Sequence, residues 1–294
     1  MKTILYLLSS ILFLVAATSP AALPIDTVIV VVMENKNWSD INGSSSAPYI
    51  NNTLLPIASY CRNYRYDGVH PSLPNYLTME CGRTMGVHDD KPPSSHHFNV
   101  DHLSAQLEAA GLDWRCWAEG IPGNTCPTRS SNGYAPKHDP FVYFDDVYLG
   151  TPRCIEHIRP YTELQGALND DTLANYNFVV PKSGDNMHAT STQDTIAKQV
   201  KAGDNWLKAE IPKILSSPRY LAGRTALIIT WDEGRGGDGP IGCIVISPAA
   251  KGGGYSNAIH YTHCSLLRTV QEIFAVGPLL GGAASATNLG DLFQ

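Results

Sequence analysis

The sequence predicts an α/β protein, a three-layer α/β/α sandwich around a mostly parallel central sheet. Three observations predict it. Residues 27–32 (Thr-Val-Ile-Val-Val-Val) and 226–230 (Ala-Leu-Ile-Ile-Thr) are short apolar runs without polar alternation, the pattern of strands covered on both faces. Residues 177–181 (Asn-Phe-Val-Val-Pro) form a third such run. Helical stripes lie between these runs, and alternation of strands with helices puts helices on both faces of a sheet.

Taken in order, the first strand is followed by residues 39–53, rich in Ser, Asn and Gly, which read as a loop. Leu103, Leu107 and Ala110 share one face of a short helix that Gly111 stops. A strand is expected over 114–118. Residues 120–160 are dense in Gly, Pro, Asn and Cys and form an irregular excursion over the core. Cys126 and Cys154 bracket it, and a disulfide between them would pin a loop that has no core of its own. Ile196, Val200, Leu207, Ile211 and Ile214 give a helical stripe, interrupted near Gly203, with Ser191 and Asp194 as its start signal. A strand ending at Trp231, another over 241–247 and a helix from about 265 to 274 complete the chain. There is no internal repeat, charge block or heptad pattern.

Residues 1–22 read as a cleaved signal peptide: Lys2 is positive, 4–17 are largely apolar, and 18–22 are small. The alternative is an anchor, but a spanning helix needs about 20 apolar residues. The rest, 23–294, is expected to be one domain of a secreted protein with no stable membrane insertion. With 43% hydrophobic and 16% charged residues the composition is that of a globular protein. A formal net charge of −6 argues against a nucleic-acid partner. An anionic substrate stays open, because a metal supplies local positive charge. Seven cysteines without a Cys-x-x-Cys pair fit an oxidising compartment, and Cys243, in an apolar run, reads as an inert core thiol. Asn37, Asn42 and Asn51 each open a glycosylation sequon, marking a solvated surface where the host glycosylates.

The chemistry gathers at strand ends. Met33-Glu34-Asn35 closes the first run and Trp231-Asp232-Glu233-Gly234 closes another. Ligands in open α/β sheets sit just beyond the carboxyl ends of strands. An amide and three carboxylates there suit a hard cation bound through oxygen. Adjacent residues on a regular strand point to opposite faces, so both members of a pair reach one ion only where the strand ends and turns. One acidic pair alone would more often face water; two at equivalent strand ends reverse that balance.

Ser72 stands in His70-Pro71-Ser72-Leu73-Pro74-Asn75-Tyr76, with proline placed for a first helical turn. Alone, a serine there is a helix cap. The unsatisfied N–H groups of that turn also bind phosphate oxygens, and a metal would make the serine a nucleophile. Metal carboxylates with such a serine are an arrangement for phosphoryl transfer. His70, His188 and His263 lie in polar, turn-like contexts near these segments and could bind phosphate or transfer protons. His96, His97, His102, His138 and His157 are weaker candidates on the residues alone.

Six motifs in this order resemble the phosphoesterase family of bacterial phospholipases C and secreted acid phosphatases. They are Met-Glu-Asn (33–35), His-Pro-Ser-Leu-Pro-Asn-Tyr (70–76), Lys-His-Asp-Pro-Phe (137–141), Asn-Met-His (186–188), Thr-Trp-Asp-Glu (230–233) and Thr-His-Cys-Ser-Leu-Leu-Arg-Thr (262–269). The resemblance is to the short acid-phosphatase branch, which includes phosphatases of phosphoinositides, and runs from about residue 26 to 293. It implies an alkaline-phosphatase-like fold. It implies Glu34, Asn35, Asp232 and Glu233 as ligands of one divalent ion (Mg, Ca, Mn or another hard cation), with Ser72 both a ligand and the phosphorylated nucleophile. His188 and His263 fall within its motifs; with His70 they are the candidate catalytic histidines, His188 or His263 favoured as proton donor, and Asn75 and His138 are the candidate substrate-binding residues. The chain departs from the family where Asn186 and Ala189 replace two aspartates around His188, and where Cys264 replaces a tyrosine.

The expected function is thus a secreted, metal-dependent acid phosphatase acting on a phosphorylated small molecule or phosphoinositide. A phospholipase C-type diesterase and a non-catalytic secreted binding protein on the same fold are the alternatives. A sulfatase is disfavoured, since 70–74 lacks the Cys/Ser-x-Pro-x-Arg pattern that directs formylglycine formation.

Overall fold

The computed structural model describes residues 23–294 apart from 67, 149–151 and 238; the expected signal peptide, 1–22, lies outside the described residues. Ten strands follow in chain order: β1 Thr27–Met33, β2 Ser59–Cys61, β3 Tyr64–Arg65, β4 Trp114–Ala118, β5 Ile158–Pro160, β6 Tyr176–Val180, β7 Thr225–Trp231, β8 Cys243–Ile246, β9 Tyr255–Asn257 and β10 Tyr261–Thr262. Eight form one sheet in the order β5-β4-β6-β1-β7-β8-β2-β9, and β10 and β3 form a second, small one. The sheet is parallel from β5 to β7. β8 is antiparallel to both its neighbours, and β9 returns parallel to β2.

β1 and β7 occupy the centre, and every residue of both is buried. That is why neither alternates: both faces are covered by helices. The helices form two groups. Ser72–Cys81 packs with Leu103–Ala109 and His263–Ile273. Ile196–Leu215 packs with Trp38–Ile41, Leu164–Asn169 and Pro218–Leu221. The α/β class and the mostly parallel sheet match the expectation.

Several details differ. The Ile196–Leu215 helix runs unbroken through Gly203, because the glycine is a packing contact. A Cβ there would stand 2.3 Å from Met187 Cγ and 2.8 Å from Met33 Cε. This helix begins at Thr195, which accepts from Lys198 N, rather than at Ser191. Residues 39–53 are not all loop: they include most of Trp38–Ile41 and of a π-helical turn, Ile50–Leu54. Buried Asp204 holds that turn by accepting from Tyr49 N at 3.0 Å and Ile50 N at 2.8 Å. Strands do not alternate with helices throughout, since β7, β8, β9 and β10 follow one another without one. The last long helix starts at His263, two residues before the expected 265. Asn42 is exposed, but Asn37 and Asn51 are half-buried. Asn51 Nδ2 donates to Ile41 O and Ala47 O, each at 2.8 Å.

The 120–160 excursion closes through a Cys126–Cys154 disulfide with Cα atoms 5.5 Å apart. Within it, a single turn of 3-10 helix, Pro136–His138, dips back into the core: Pro136 and His138 are buried. Cys243 is buried in β8, as expected of a core thiol.

Candidate active site

The register of the central strands assembles the site. Met33 pairs with Trp231 at the carboxyl ends of β1 and β7. The next residues, Glu34 and Asp232, therefore emerge side by side. Asp232 N donates to Met33 O at 2.9 Å, and Glu34 N donates to Asn186 O at 2.8 Å, which ties the loop after β6 to the same point. The chain then turns. Asn35 takes φ +39°, in the left-handed region that asparagine tolerates better than most residues. This turn lets both members of the first pair face one place. Asn35 N donates to Asp232 Oδ1 at 3.0 Å, and Asn35 Nδ2 donates to Glu233 Oε1.

The third component is the Ser72–Cys81 helix. Ser72 is its first helical residue, with Pro71 at the cap position and no capping bond from a side chain. The plain capping role is thus not what this serine performs. Ser72 Oγ donates instead to Glu34 Oε2 at 3.2 Å, with Glu233 Oε1 at 3.4 Å. Residues three and four positions on share its helix face. Asn75 Nδ2 donates to Val69 O at 2.8 Å and lies 3.5 Å from Glu233 Oε2. Tyr76 donates to Glu34 Oε1 at 2.6 Å. At the other end, Gly82 takes φ +70°, and a Cβ there would meet Leu280 O at 2.3 Å, so glycine permits both the turn and the close approach.

The histidines take different places. His70 Nδ1 lies 2.5 Å from Glu233 Oε2 while its side chain stays 43% exposed. Tyr66 OH is 3.2 Å from His70 Nε2 and donates to Gly237 O. His138 is fully buried, stacks on Tyr76 with centroids 5.4 Å apart, and places Nε2 3.2 Å from Glu34 Oε1 without hydrogen-bond alignment. His188 is half-buried, 6.2 Å from His138 between ring centroids, with Nδ1 2.8 Å from Ala189 O. His263 is buried with both nitrogens engaged: Nε2 lies 2.6 Å from the Asp232 carbonyl and Nδ1 3.1 Å from Tyr64 OH. Pairing of β10 with β3 puts it there. It supports the backbone of the second acidic pair.

Burial sets the electrostatics. Desolvation pushes Glu34 up to about 7, against the Tyr76 hydrogen bond and the charge of Lys137. Burial also raises Asp232 well above the usual carboxylate range, aided by the charge of Glu34. Glu233 is raised by burial and by Asp232. Lys36 is buried and donates to Asn35 O at 2.9 Å and Met187 O at 2.8 Å, with burial drawing it down to about 8. His138 is held well below its ordinary value by burial and by the charges of Lys137 and His188.

Among the described residues, two oxygens in this cluster, Asn35 Oδ1 and Asp232 Oδ2, are buried with no hydrogen-bond partner, as is His138 Nε2. Such atoms are costly to bury unless something else meets them. Among the described residues no three His, Cys, Asp or Glu side chains form a metal cluster by themselves. A mixed oxygen set would be needed, in which Asn35 and Ser72 join the carboxylates. The two orphaned oxygens, the crowd of buried carboxylates and the all-oxygen chemistry fit a hard divalent cation.

Sequence reasoning missed Tyr76, Lys36 and Lys137. Tyr76 was signalled by its spacing, four residues after Ser72. Lys36 and Lys137 carried no signal beyond adjacency to named residues.

The architecture is an alkaline-phosphatase-like α/β fold. It aligns with an alkaline phosphatase superfamily protein from Vibrio parahaemolyticus at a TM-score of 0.61, covering 91% of this chain and 72% of that one, with 11% identity. It aligns with the lipoteichoic acid synthase LtaP from Listeria monocytogenes at 0.60, covering 91% and 77%, also with 11% identity. The profile of the phosphoesterase family matches residues 59–277, and the chain belongs to that family. It is a phosphoric ester hydrolase by that membership. Its relatives include a phosphatidylinositol-3-phosphatase of Mycobacterium tuberculosis, 28% identical over 90% of this chain and 82% of that protein. They also include an acid phosphatase of Aspergillus fumigatus, 23% identical over 69% of this chain and 43% of that protein. The chain thus spans most of the bacterial relative but less than half of the fungal one.

Proposed function

We propose that the protein is a secreted, metal-dependent phosphomonoesterase that works through a phosphoserine at Ser72, with phosphoinositides among its substrates. The observation that carries this reading is Ser72 Oγ at the first turn of its helix, within 3.2 Å of Glu34 Oε2 and 3.4 Å of Glu233 Oε1. The names of the bacterial and fungal relatives support a monoester substrate. The disulfide and the leader-like residues 1–22 support secretion.

Glu34, Asn35, Asp232, Glu233 and Ser72 would hold the ion. Bound there, a divalent cation supplies positive charge to phosphate oxygens and favours the alkoxide form of a serine. In the first step the Ser72 proton passes to Glu34 Oε2, the Ser72 Oγ–P bond forms, and the bond from phosphorus to the leaving oxygen breaks. A protonated histidine returns a proton to that oxygen. His188 suits this role because its Nδ1 is engaged by Ala189 O, leaving Nε2 for the substrate. His70, open to solvent beside Glu233, and Asn75, on the Ser72 helix face, suit contacts to phosphate oxygens. In the second step water gives a proton to the histidine and attacks phosphorus, the Ser72 Oγ–P bond breaks, and Glu34 returns its proton to Ser72 Oγ. Inversion at each step gives net retention. His138, neutral and buried, stacks on Tyr76, which holds Glu34 Oε1, and lends no charge.

The test is purified mature protein against a phosphate monoester, a phosphate diester and phosphoinositides, with chelator and metal add-back. The expected result is monoester and phosphoinositide turnover that chelation removes and a divalent ion restores. Preferential diester cleavage would instead identify a phospholipase C-type enzyme, and no turnover of any would leave a binding protein.

A further inference from the structure

Beside the Ser72 site lies a cavity of about 560 Å³ whose lining includes Asp90, Arg129, Ser130, Lys137 and Tyr143. It shares a wall with the site. Asp90 Oδ1 accepts from Leu73 N at 3.1 Å, one residue after Ser72, and Asp90 Oδ2 accepts from Lys137 Nζ at 2.6 Å. Lys137 and His138 are neighbours on the Pro136–His138 turn and serve opposite sides. His138 is buried against Glu34, while Lys137, with its side chain 22% exposed, lines the cavity. The Lys137 charge is near enough to act on Glu34, His138 and His188. None of the residues that would hold the ion lines this cavity; the Asp90–Leu73 bond and the adjacency of Lys137 to His138 tie it to the site, and the clefts beside Cys81 and beside Glu119 have no such link.

The chemistry of the wall is selective. Glu34, Asp232 and Glu233 would be occupied by the ion at the phosphorus-binding point, so a second negative group on the leaving alcohol needs its partners outside that cluster. The cavity offers two basic side chains, Lys137, paired with Asp90, and the exposed Arg129, and Ser130 also lines it. Asp90 is fixed by the backbone of the Ser72 helix and so fixes Lys137 relative to the nucleophile. Asp90 is a positioning residue.

We propose that this cavity is a leaving-group subsite, in which Lys137 and Arg129 bind a second phosphoryl group carried by the alcohol that departs. The inference rests on the phosphomonoesterase reading and narrows its substrate class to monoesters whose alcohol is itself phosphorylated. The second group is a free phosphate in a soluble bisphosphate and a phosphodiester in a phosphoinositide.

The experiment compares butanediol bisphosphate with butyl phosphate, by kcat and KM, for wild type, Lys137→Met, Lys137→Arg and Arg129→Ala. Loss of one charge-assisted contact should cut the bisphosphate-to-monophosphate ratio of kcat/KM by about tenfold in Lys137→Met, chiefly through KM. Lys137→Arg should restore most of the ratio, and Arg129→Ala should lower it less, because that side chain is exposed. Equal losses on both compounds, or an unchanged ratio, would overturn the subsite while leaving the phosphatase reading intact. Wild-type protein that releases phosphate from neither compound would overturn both. A second arm uses phosphatidylinositol 3-phosphate in phosphatidylcholine vesicles and its deacylated headgroup. A Lys137→Met defect on both supports recognition of the phosphodiester, and a defect confined to vesicles would assign Lys137 to the lipid surface and overturn the proposal.

Discussion

Tyr76 donates its hydroxyl hydrogen to Glu34 Oε1 at 2.6 Å. One turn earlier on the same helix, Ser72 donates to Oε2 of the same carboxylate. A single helix therefore grips both oxygens of a residue delivered by the central strand. Ser72, the proposed nucleophile, is thus placed relative to Glu34 by one rigid element and one side chain.

Tyr76→Phe removes this bond and keeps the ring that stacks on His138. A hydrogen bond to a charged group contributes about 1.5–3 kcal/mol, so kcat/KM should fall about ten- to hundredfold. The Tyr76 bond also opposes the upward push of burial on Glu34. Without it Glu34 holds its proton to higher pH, and the acidic limb of the pH–rate profile should move upward. Rate and limb unchanged from wild type would mean that the strand alone places Glu34.

His188 is held below its ordinary value, first by burial and then by the charges of Lys137 and Lys36, with the Ala189 carbonyl acting the other way. Ala189 is exposed, so Ala189→Asp adds a carboxylate at little structural cost. A nearby carboxylate stabilises imidazolium. If His188 is the proton donor, the alkaline limb should move to higher pH. Asn186 is a poorer place for the same charge. It is buried, its Oδ1 accepts from His188 N at 2.9 Å, and its carbonyl accepts from Glu34 N. Asn186→Asp should therefore lose activity rather than shift the limb. An alkaline limb that stays in place in active Ala189→Asp protein would pass the role to His70.

A separate buried network governs stability. His102 is engaged at Nδ1 by Glu80, 2.9 Å away, and at Nε2 by Asp146, 3.0 Å away. Burial alone would lower it, but the two carboxylates outweigh burial and raise it to about 9. A histidine raised on folding gives its full stabilisation below about 6.5 and loses it as pH climbs through its folded value. Stability should thus drop by about 3 kcal/mol between pH 7 and pH 10, read from urea midpoints. His102→Gln should be less stable at pH 7 and should lose much of that pH dependence. A wild-type curve flat over this range would contradict the network.

The disulfide should carry the excursion. Cys126 and Cys154 are 28 residues apart, and closing a loop of that size contributes about 3 kcal/mol on the chain-entropy account. Cys126→Ser should lower stability by roughly this amount and lower activity too, because the same loop carries Lys137 and His138. Non-reducing peptide mapping that finds either cysteine free in folded protein would contradict the linkage.

The sequence carried the strands that matter most. β1, β4, β6 and β7 are short and largely apolar, and each lies within one or two residues of its expected span. The two acidic pairs were legible because a parallel sheet brings strand ends together, and the Met33–Trp231 register does so. β2, β3, β5, β9 and β10 were not legible: at two or three residues each, their pairing comes from tertiary context rather than local pattern. The same holds for His263, which sits at a helix start in the sequence but behind the Asp232 backbone in space. His138 is a candidate only through its motif, since nothing local to Lys137-His138-Asp139 indicates a loop folding back onto Glu34.

The most direct measurement is phosphate release by Ser72→Ala, with metal content and folding checked in the same preparation. The change removes the attacking oxygen and little volume at a buried position. The account predicts correctly folded, metal-loaded protein with activity reduced by at least about a thousandfold, a loss of about 4 kcal/mol in barrier stabilisation. Activity within about tenfold of wild type, about 1.4 kcal/mol, would contradict it and remove Ser72 as the nucleophile.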